Sequence, residues 1–508
     1  MPLFKGDDDG NTLYGTNVAD QMNGNGGDDS LKGFGGADQL NGGDGIDTAF
    51  YGDSTAGVAV NLATGLASGG SAAGDLLTSV ENLFGSSHND FFTGNDAANE
   101  FYGLDGHDVL VGGNGDDRLI AGAGNDILKG GGGRDHLEGG SGIDTVDYSA
   151  APTGVWARLA GGPSYGEADG DTFVGIENVT GSEFGDLIVG NSGANLLRGL
   201  NGDDVLDGGE GDDRLEGGHG NDRLGGSEGA DTMIGGVGDD EYRIDNVGDV
   251  VVETAGQGID LVWSYISSYV LGANVENLRL SLGASDGTGN ALDNDIGGTF
   301  GDNVLDGGIG VDTLVGYQGN DTYYVDNPFD VVREHGGEGS DAVRTSVSYA
   351  LTPGSDVEYL ATMSHSGTEA INLTGNANGN IVQGNDGANQ IAGGDGRDEL
   401  FGGGGTDRFL FDTAPNAASN MDVVTDFNVT DDTIVLENAV FTALAAGPLA
   451  ADRFVVGTAA LDGNDNVIYN AANGALLYDA DGNGAGAAVQ FAQAAAGLAL
   501  TANDFLVV

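Results

Sequence analysis

Residues 112–140 read GGNGDDRLIAGAGNDILKGGGGRDHLEGG and repeat one nine-residue pattern three times. In the first unit, residues 112–120, Gly112 stands at position 1, Asp117 at position 6 and Leu119 at position 8. The same pattern returns in GGEGDDRLE at residues 208–216 and in GGIGVDTLV at residues 307–315. A fixed period with one apolar residue per unit indicates a stacked repeat architecture.

Twenty-seven such units occur in strict register and cover 243 of the 508 residues. They form five blocks, at residues 6–50, 85–147, 181–243, 289–324 and 375–410. Position 1 is Gly in 26 units, with Ala121 as the exception. Position 6 is Asp in twenty units and Asn in seven, namely Asn11, Asn99, Asn195, Asn294, Asn303, Asn380 and Asn389. A disordered Gly-rich linker would not hold this phase.

Each position of the unit has a physical role. We expect Gly at positions 1, 2 and 4 to take positive φ in a tight turn whose carbonyls point inward. Asp at position 6 supplies charged oxygen to a hard cation, which prefers six to eight oxygen ligands. The residues around position 8 read as a very short strand with the apolar side chain pointing inside.

The repeats resemble the RTX family of secreted proteins from Gram-negative bacteria. The resemblance implies that two consecutive units make one coil of a right-handed parallel β-roll or β-helix. It also implies that calcium lies between the turns of units i and i+2, held by both position-6 Asp side chains and by turn carbonyls. The expected fold is an all-β solenoid in five repeat blocks, with a β-rich cap and secretion region at residues 411–508.

The resemblance carries calcium ligation to the position-6 aspartates of the regular units. A block of n units has n − 2 such pairs, which gives roughly 17 calcium sites. Units that lack the pattern, such as GTNVADQMN at residues 15–23 and GNDAANEFY at residues 94–102, are expected to be weaker sites or capping turns. The candidate ligands are Asp29, Asp38, Asp47, Asp108, Asp117, Asp126, Asp135, Asp144, Asp204, Asp213, Asp222, Asp231, Asp240, Asp312, Asp321, Asp398 and Asp407.

The composition favours folding that depends on calcium. With 80 acidic and 16 basic residues, the net charge is −64, which argues against nucleic-acid or anionic-membrane partners. About 17 Ca²⁺ ions would cancel roughly half of this charge. Each unit buries one or two apolar side chains, too few to offset the ordering of nine Gly-rich residues. We therefore expect disorder at submicromolar calcium and a folded chain at millimolar calcium.

Several features predict secretion. Cysteine is absent, so metal rather than disulfides would stabilise the fold. The N-terminal MPLFKGDDDG contains no apolar signal region, and no segment reads as a membrane span. Residues 411–508 resemble the C-terminal region of type I-secreted RTX proteins, and residues 504–508 (DFLVV) resemble the uncleaved signal read by a type I ABC exporter. The expected location is extracellular, in solution or at the cell surface.

Four spacers separate the blocks, at residues 51–84, 148–180, 244–288 and 325–374. They could display a binding surface, but we favour additional β-coils with longer loops. The acidic pairs Asp249/Glu253 and Asp330/Glu334 are interpreted as solvated turns rather than calcium ligands. Further along, DADGNG at residues 479–484 matches the first half of an EF-hand loop. The alternative there is a hairpin turn.

No catalytic motif stands out. There is no HExxH sequence, and the single GxSxG, around Ser227, falls in a repeat turn rather than in a strand–turn–helix elbow. We predict a secreted calcium-binding protein without enzymatic activity, structural or adhesive at the cell surface or in a matrix. The alternatives are a polysaccharide-active enzyme with its site in a spacer, and a module that binds a cell-surface glycan.

Overall fold

The computed structural model describes residues 1–508 and is all-β, with 53 strands and four short 3₁₀ helices. The helices are Gly70–Ala72, Gly166–Ala168, Ala451–Arg453 and Ala502–Asp504. The chain divides into two compact units, Met1–Leu261 and Val262–Val508. Within each unit, stacked parallel strands form a β-solenoid, as the sequence predicts.

The first unit contains 28 strands. They are β1 (Leu3–Lys5), β2 (Thr12–Thr16), β3 (Gln21–Gly26), β4 (Ser30–Phe34), β5 (Gln39–Asp44), β6 (Thr48–Phe50), β7 (Ala59–Asn61), β8 (Leu66–Ser68), β9 (Leu76–Thr78), β10 (Asn82–Phe84), β11 (Phe91–Thr93), β12 (Glu100–Asp105), β13 (Val109–Asn114), β14 (Arg118–Ala123), β15 (Ile127–Gly132), β16 (His136–Ser141), β17 (Thr145–Asp147), β18 (Trp156–Arg158), β19 (Thr172–Val174), β20 (Asn178–Thr180), β21 (Leu187–Val189), β22 (Leu196–Asn201), β23 (Val205–Glu210), β24 (Arg214–His219), β25 (Arg223–Glu228), β26 (Thr232–Val237), β27 (Glu241–Ile244) and β28 (Val250–Val252).

Strand β29 (Leu261–Ser264) includes the point where the chain passes into the second unit. The remaining strands are β30 (Ser268–Val270), β31 (Asn277–Leu280), β32 (Asp286–Thr288), β33 (Asp295–Gly297), β34 (Val304–Asp306), β35 (Thr313–Val315), β36 (Thr322–Val325), β37 (Val331–Arg333), β38 (Ala342–Thr345), β39 (Tyr349–Ala350), β40 (Tyr359–Thr362), β41 (Leu373–Thr374), β42 (Ile381–Gln383), β43 (Gln390–Ala392), β44 (Glu399–Phe401), β45 (Arg408–Phe411), β46 (Asp422–Val424), β47 (Thr433–Leu436), β48 (Gly447–Pro448), β49 (Phe454–Val456), β50 (Val467–Asn470), β51 (Ala475–Tyr478), β52 (Val489–Gln493) and β53 (Phe505–Val507).

The repeats stack with a register of 18 residues, which is two units per coil. In β12 and β14, Phe101 pairs with Leu119, and in β13 and β15 Leu110 pairs with Leu128. Consecutive units therefore lie in different sheets, and every second unit lies above the one before it. The position-8 side chains point inward, and all four of these residues are fully buried. This ladder of single apolar residues is the core that the nine-residue period predicts.

The spacers of the first unit also contribute strands to the sheets of the repeats. In residues 51–84, β9 pairs with β5 and β10 pairs with β6, both in parallel. In residues 148–180, β19 pairs with β16 and β20 pairs with β17. The longer loops project between these strands, and the strands themselves carry the stack from one block toward the next.

The second unit follows the same plan and ends in a different arrangement. Parallel pairing runs through β38, β40, β42 and β44. After residue 410 the chain adds an antiparallel meander of β50, β51 and β52. Strand β53 then pairs in parallel with β47 and antiparallel with β48. The C-terminal region is thus β-rich, as expected.

Candidate metal centres

The position-6 aspartates form ladders along the solenoid turns. In 17 of the twenty aspartates, one carboxylate oxygen, Oδ1, accepts a hydrogen bond from the backbone N–H of the position-6 residue one coil earlier. Asn99 N–H donates to Asp117 at 2.7 Å, and Asp117 N–H donates to Asp135 at 2.8 Å. The side chains are 2% exposed at both aspartates. The ladder holds each carboxylate in one orientation and leaves its second oxygen free.

The second oxygen, Oδ2, is buried and has no hydrogen-bond partner in 17 of the twenty position-6 aspartates. Buried polar atoms in folded proteins are nearly always paired, so a repeated orphan oxygen indicates a missing ligand. The 17 residues with an orphan Oδ2 coincide with the candidate ligands from the sequence: Asp29, Asp38, Asp47, Asp108, Asp117, Asp126, Asp135, Asp144, Asp204, Asp213, Asp222, Asp231, Asp240, Asp312, Asp321, Asp398 and Asp407.

The position-1 glycine completes a cradle around each orphan oxygen. A Cβ built on Gly112 would lie 2.1 Å from Asp117 Oδ2 and 2.7 Å from the carbonyl oxygen of Gly130. On Gly103 it would lie 2.2 Å from Asp108 Oδ2. A carboxylate and a carbonyl oxygen thus converge on the space that a side chain at position 1 would fill, and both are oxygen ligands of the kind that calcium prefers. The donor set fits a hard cation.

This geometry corrects the expected role of the position-1 glycine. Positive φ is predicted from the sequence at positions 1, 2 and 4, but position-1 residues such as Gly112 do not have it. Positive φ falls on positions 2 and 4, for example Gly113 at 117° and Gly115 at 113°. A side chain at position 1 would occupy the space between the carboxylate and carbonyl oxygens, which favours glycine there, and Ala121 is the one position-1 residue with a Cβ.

The other ten units close their turns with internal donors. In every Asn unit, Oδ1 of Asn accepts the N–H of position 2, as when Asn95 N–H donates to Asn99 at 2.9 Å. The Asn99 amide also donates to the carbonyl of Glu81 at 2.7 Å. In Asp20, Asp90 and Asp186, Oδ2 accepts the N–H of a threonine or serine four residues earlier, at 2.5 to 2.6 Å. A role of these irregular units as weaker sites or as capping turns stays a prediction.

Burial raises the pKa of most of the ladder carboxyls when no cation is present. It raises the pKa of Asp108 and Asp117 to about 7, and that of Asp204 to about 8, with a further contribution from neighbouring aspartates. The pKa of Asp135 is about 6 for the same reason of burial. At neutral pH the folded chain therefore contains costly ionised carboxylates, which a bound cation would compensate.

We expect acid to replace part of the effect of calcium. The carboxyl pKa values of about 6 to 8 in the fold lie above the value of about 3.9 in an unfolded chain, so the fold binds more protons. The stability of the calcium-free fold should therefore rise as the pH falls from about 8 to about 5.5. Far-UV circular dichroism in calcium-depleted buffer should show more β-structure at the lower pH. Equal or lower β-content at pH 5.5 would contradict this expectation.

The spacers contribute further carboxylates to the ladder, and these residues are not among the ligands predicted from the sequence. Asp75 accepts from Asp38 N–H at 2.8 Å, and Asp171 accepts from Asp135 N–H at 2.8 Å. Glu81 accepts the N–H of Asp47 at 3.0 Å. Glu81 belongs to the sequence VEN at residues 80–82, which recurs as IEN at residues 176–178 in the second spacer, so this motif was a usable signal.

One interpretation from the sequence is wrong. Asp330 and Glu334 were expected in a solvated turn, but they are only 5% and 4% exposed. Asp330 joins the ladder by accepting the N–H of Asp312 at 3.0 Å. Both Glu334 carboxylate oxygens are buried without a hydrogen-bond partner. The related pair Asp249 and Glu253 is half-buried.

The DADGNG segment, residues 479–484, connects β51 to the antiparallel strand β52. This is the hairpin alternative of the sequence analysis. Asp481 Oδ2 accepts the N–H of Gly486 at 3.0 Å within the connection. A calcium site in this loop stays a prediction.

Comparison with known families agrees with the geometry. The chain matches the family described as RTX calcium-binding nonapeptide repeat (4 copies) over residues 6–49, 84–119, 111–146, 180–215, 207–242, 288–324 and 374–409. A search of curated proteins finds no match to the chain. None of the helices in the structure is long and apolar enough to span a membrane. The five repeat blocks therefore belong to the RTX calcium-binding nonapeptide-repeat family, and the chain is a calcium-binding β-solenoid.

Proposed function

We propose that this protein is secreted unfolded and becomes a rigid, non-enzymatic scaffold when it binds calcium outside the cell. The observation that carries the proposal is the set of 17 buried Asp Oδ2 atoms without a partner. Each would be a calcium ligand, together with turn carbonyls and the aspartate one coil away. The number of sites would then be about 17.

Calcium and folding would be coupled because the ligands of one site come from different coils. Asp117 and Asp135, for example, are 18 residues apart in sequence and meet only in the stacked solenoid. A site of this kind does not exist in the unfolded chain, so the free energy of binding contributes to folding. The net charge of −64 also opposes compaction until cations are bound.

The concentration difference across the cell boundary would set where the chain folds. Cytosolic calcium is low and extracellular calcium is high, so an unfolded chain inside the cell could pass through a type I ABC exporter and fold afterwards. Once folded, the solenoid would act as a structural or adhesive component at the cell surface or in a matrix. Contact with an acidic surface glycan through shared calcium is the partner chemistry that its negative surface favours.

Equilibrium dialysis against calcium tests the number of sites. We expect about 17 bound ions per chain at saturation, in proportion to the orphan oxygens. A value below about five would contradict a ligand role for the ladder. A glycan array and an activity screen on anionic polysaccharides, both with calcium present, would separate the scaffold from a glycan-binding module or an enzyme. A single saturable glycan or measurable turnover would overturn the scaffold role.

A further inference from the structure

A third carboxylate joins the ladder where the fourth repeat block ends. Its last unit, residues 316–324, contributes Asp321, and the following spacer contributes Glu334 and Asp341. One oxygen from each of the three carboxylates lies within 4.8 Å of the others. The exposed fractions are 1% for Asp321, 4% for Glu334 and 2% for Asp341.

The polar atoms of this cluster lack partners. Both Glu334 oxygens, Asp321 Oδ2 and the Tyr323 hydroxyl are buried without a hydrogen bond. Asp341 uses one oxygen to accept the N–H of Asp321 at 2.8 Å. Three carboxylates held this close repel one another, and no basic side chain pairs with Glu334 among the ion pairs of the structure. Such an arrangement is stable only if it holds a cation or if some of its carboxyls are protonated.

At the ends of the first two blocks, the spacer carboxylate is paired by a hydrogen bond within the protein. There a tyrosine hydroxyl donates to Oδ2 of the spacer aspartate, from Tyr51 to Asp75 at 3.3 Å and from Tyr148 to Asp171 at 2.8 Å. No third carboxylate forms a cluster with these pairs. Those block ends are closed by hydrogen bonds, whereas the end of the fourth block presents an additional negative charge.

We propose that Asp321, Glu334 and Asp341 form a calcium site with three carboxylates, distinct from the two-carboxylate sites of the repeats. Asp240, Glu253 and Asp260 form a second cluster of the same composition at the end of the third block. The proposal rests on calcium binding by the repeats. A third carboxylate strengthens the attraction to the cation, so these sites bind calcium more tightly and prefer trivalent ions more strongly.

The variant Glu334→Gln tests the site through the sign of its effect on stability. It keeps the shape of the side chain and removes its charge. If Glu334 binds calcium, the urea midpoint of unfolding at millimolar calcium falls. If no cation is bound there, the variant removes an uncompensated buried charge, and the midpoint rises. A rise or no change overturns the proposal. Glu369→Gln, at an exposed glutamate, controls for the same change in net charge.

Terbium luminescence provides an independent measurement on the full, folded chain. The Tyr323 hydroxyl and Asp321 Oδ2 lie 2.2 Å and 2.1 Å from one point, the Cβ position of Gly316, so Tyr323 would sensitise an ion bound there. Tyr323→Phe should remove one emission component without shifting the others. In Glu334→Gln that component should need about tenfold more Tb³⁺. An unchanged titration overturns the proposal.

Different results would overturn the proposed function and the three-carboxylate site. A wild-type chain that binds no calcium in equilibrium dialysis would overturn the proposed function and this site together. A wild-type chain that binds calcium, with Glu334→Gln indistinguishable from Glu369→Gln, would overturn only the three-carboxylate site.

Discussion

Replacing Gly124 by alanine should prevent the second repeat block from folding, even in saturating calcium. Gly124 occupies position 4 of its unit, with φ of 149°, where side chains are strongly disfavoured. A Cβ there would lie 1.5 Å from the carbonyl oxygen of Gly106 in the coil below. Because that atom is backbone, relief requires the two coils to separate, which breaks the hydrogen bond from Gly106 N–H to Ala123 O at 2.8 Å.

The expected cost of Gly124→Ala is about 3–5 kcal/mol, measured as the loss of stability in urea unfolding at millimolar calcium. Gly225→Ala is the matched control. Gly225 lies in strand β25 of another repeat block and has no positive φ, and the nearest atom to a new Cβ there is Arg243 Cβ at 3.8 Å. Equal stability of Gly124→Ala and Gly225→Ala would contradict the close stacking of adjacent coils at Gly124.

The double variant Asp108→Asn/Asp126→Asn should change stability in opposite directions with and without calcium. The two residues are neighbours in one ladder, and Asp108 N–H donates to Asp126 at 2.7 Å. With calcium, the variant should lose two or three ions, each worth about 2.7 kcal/mol of stability when calcium exceeds Kd a hundredfold. Without calcium, it removes buried charge, and the asparagines can close their turns as Asn99 does.

The measurements for this variant are the calcium count from equilibrium dialysis and the urea midpoint in both conditions. Asp105→Asn/Asp169→Asn, at two exposed aspartates, changes the net charge equally and should leave the calcium count unchanged. An unaltered calcium count in Asp108→Asn/Asp126→Asn would show that the orphan oxygens are not ligands.

The repeats were predictable because the residues that determine the turn and the strand lie within each nine-residue unit. Asp117 was identified from its place in a nine-residue period, and the structure places its Oδ2 in the expected turn without a partner. Leu110 and Leu119, at position 8, are fully buried as predicted. A fixed period converts weak single-residue preferences into a strong prediction of fold.

The remaining features depend on contacts between distant segments. The sequence does not show that the position-1 glycines make room for oxygens of another coil, as Gly112 does for Gly130 O. Glu334 follows no repeat position, and its burial arises from a coil of 20 residues in which Asp321 N–H meets Asp341. The length of each spacer determines which residues pair between neighbouring coils, and the sequence alone does not show this pairing.

Titration of the purified chain with calcium, followed by far-UV circular dichroism and light scattering, tests whether calcium binding drives folding. The account predicts an expanded chain with little β-structure in excess chelator, and a cooperative gain of β-structure with contraction as calcium approaches millimolar concentration. The same β-content and size in chelator and in calcium would contradict it, because the orphan aspartates would then be compatible with a stable fold without any cation.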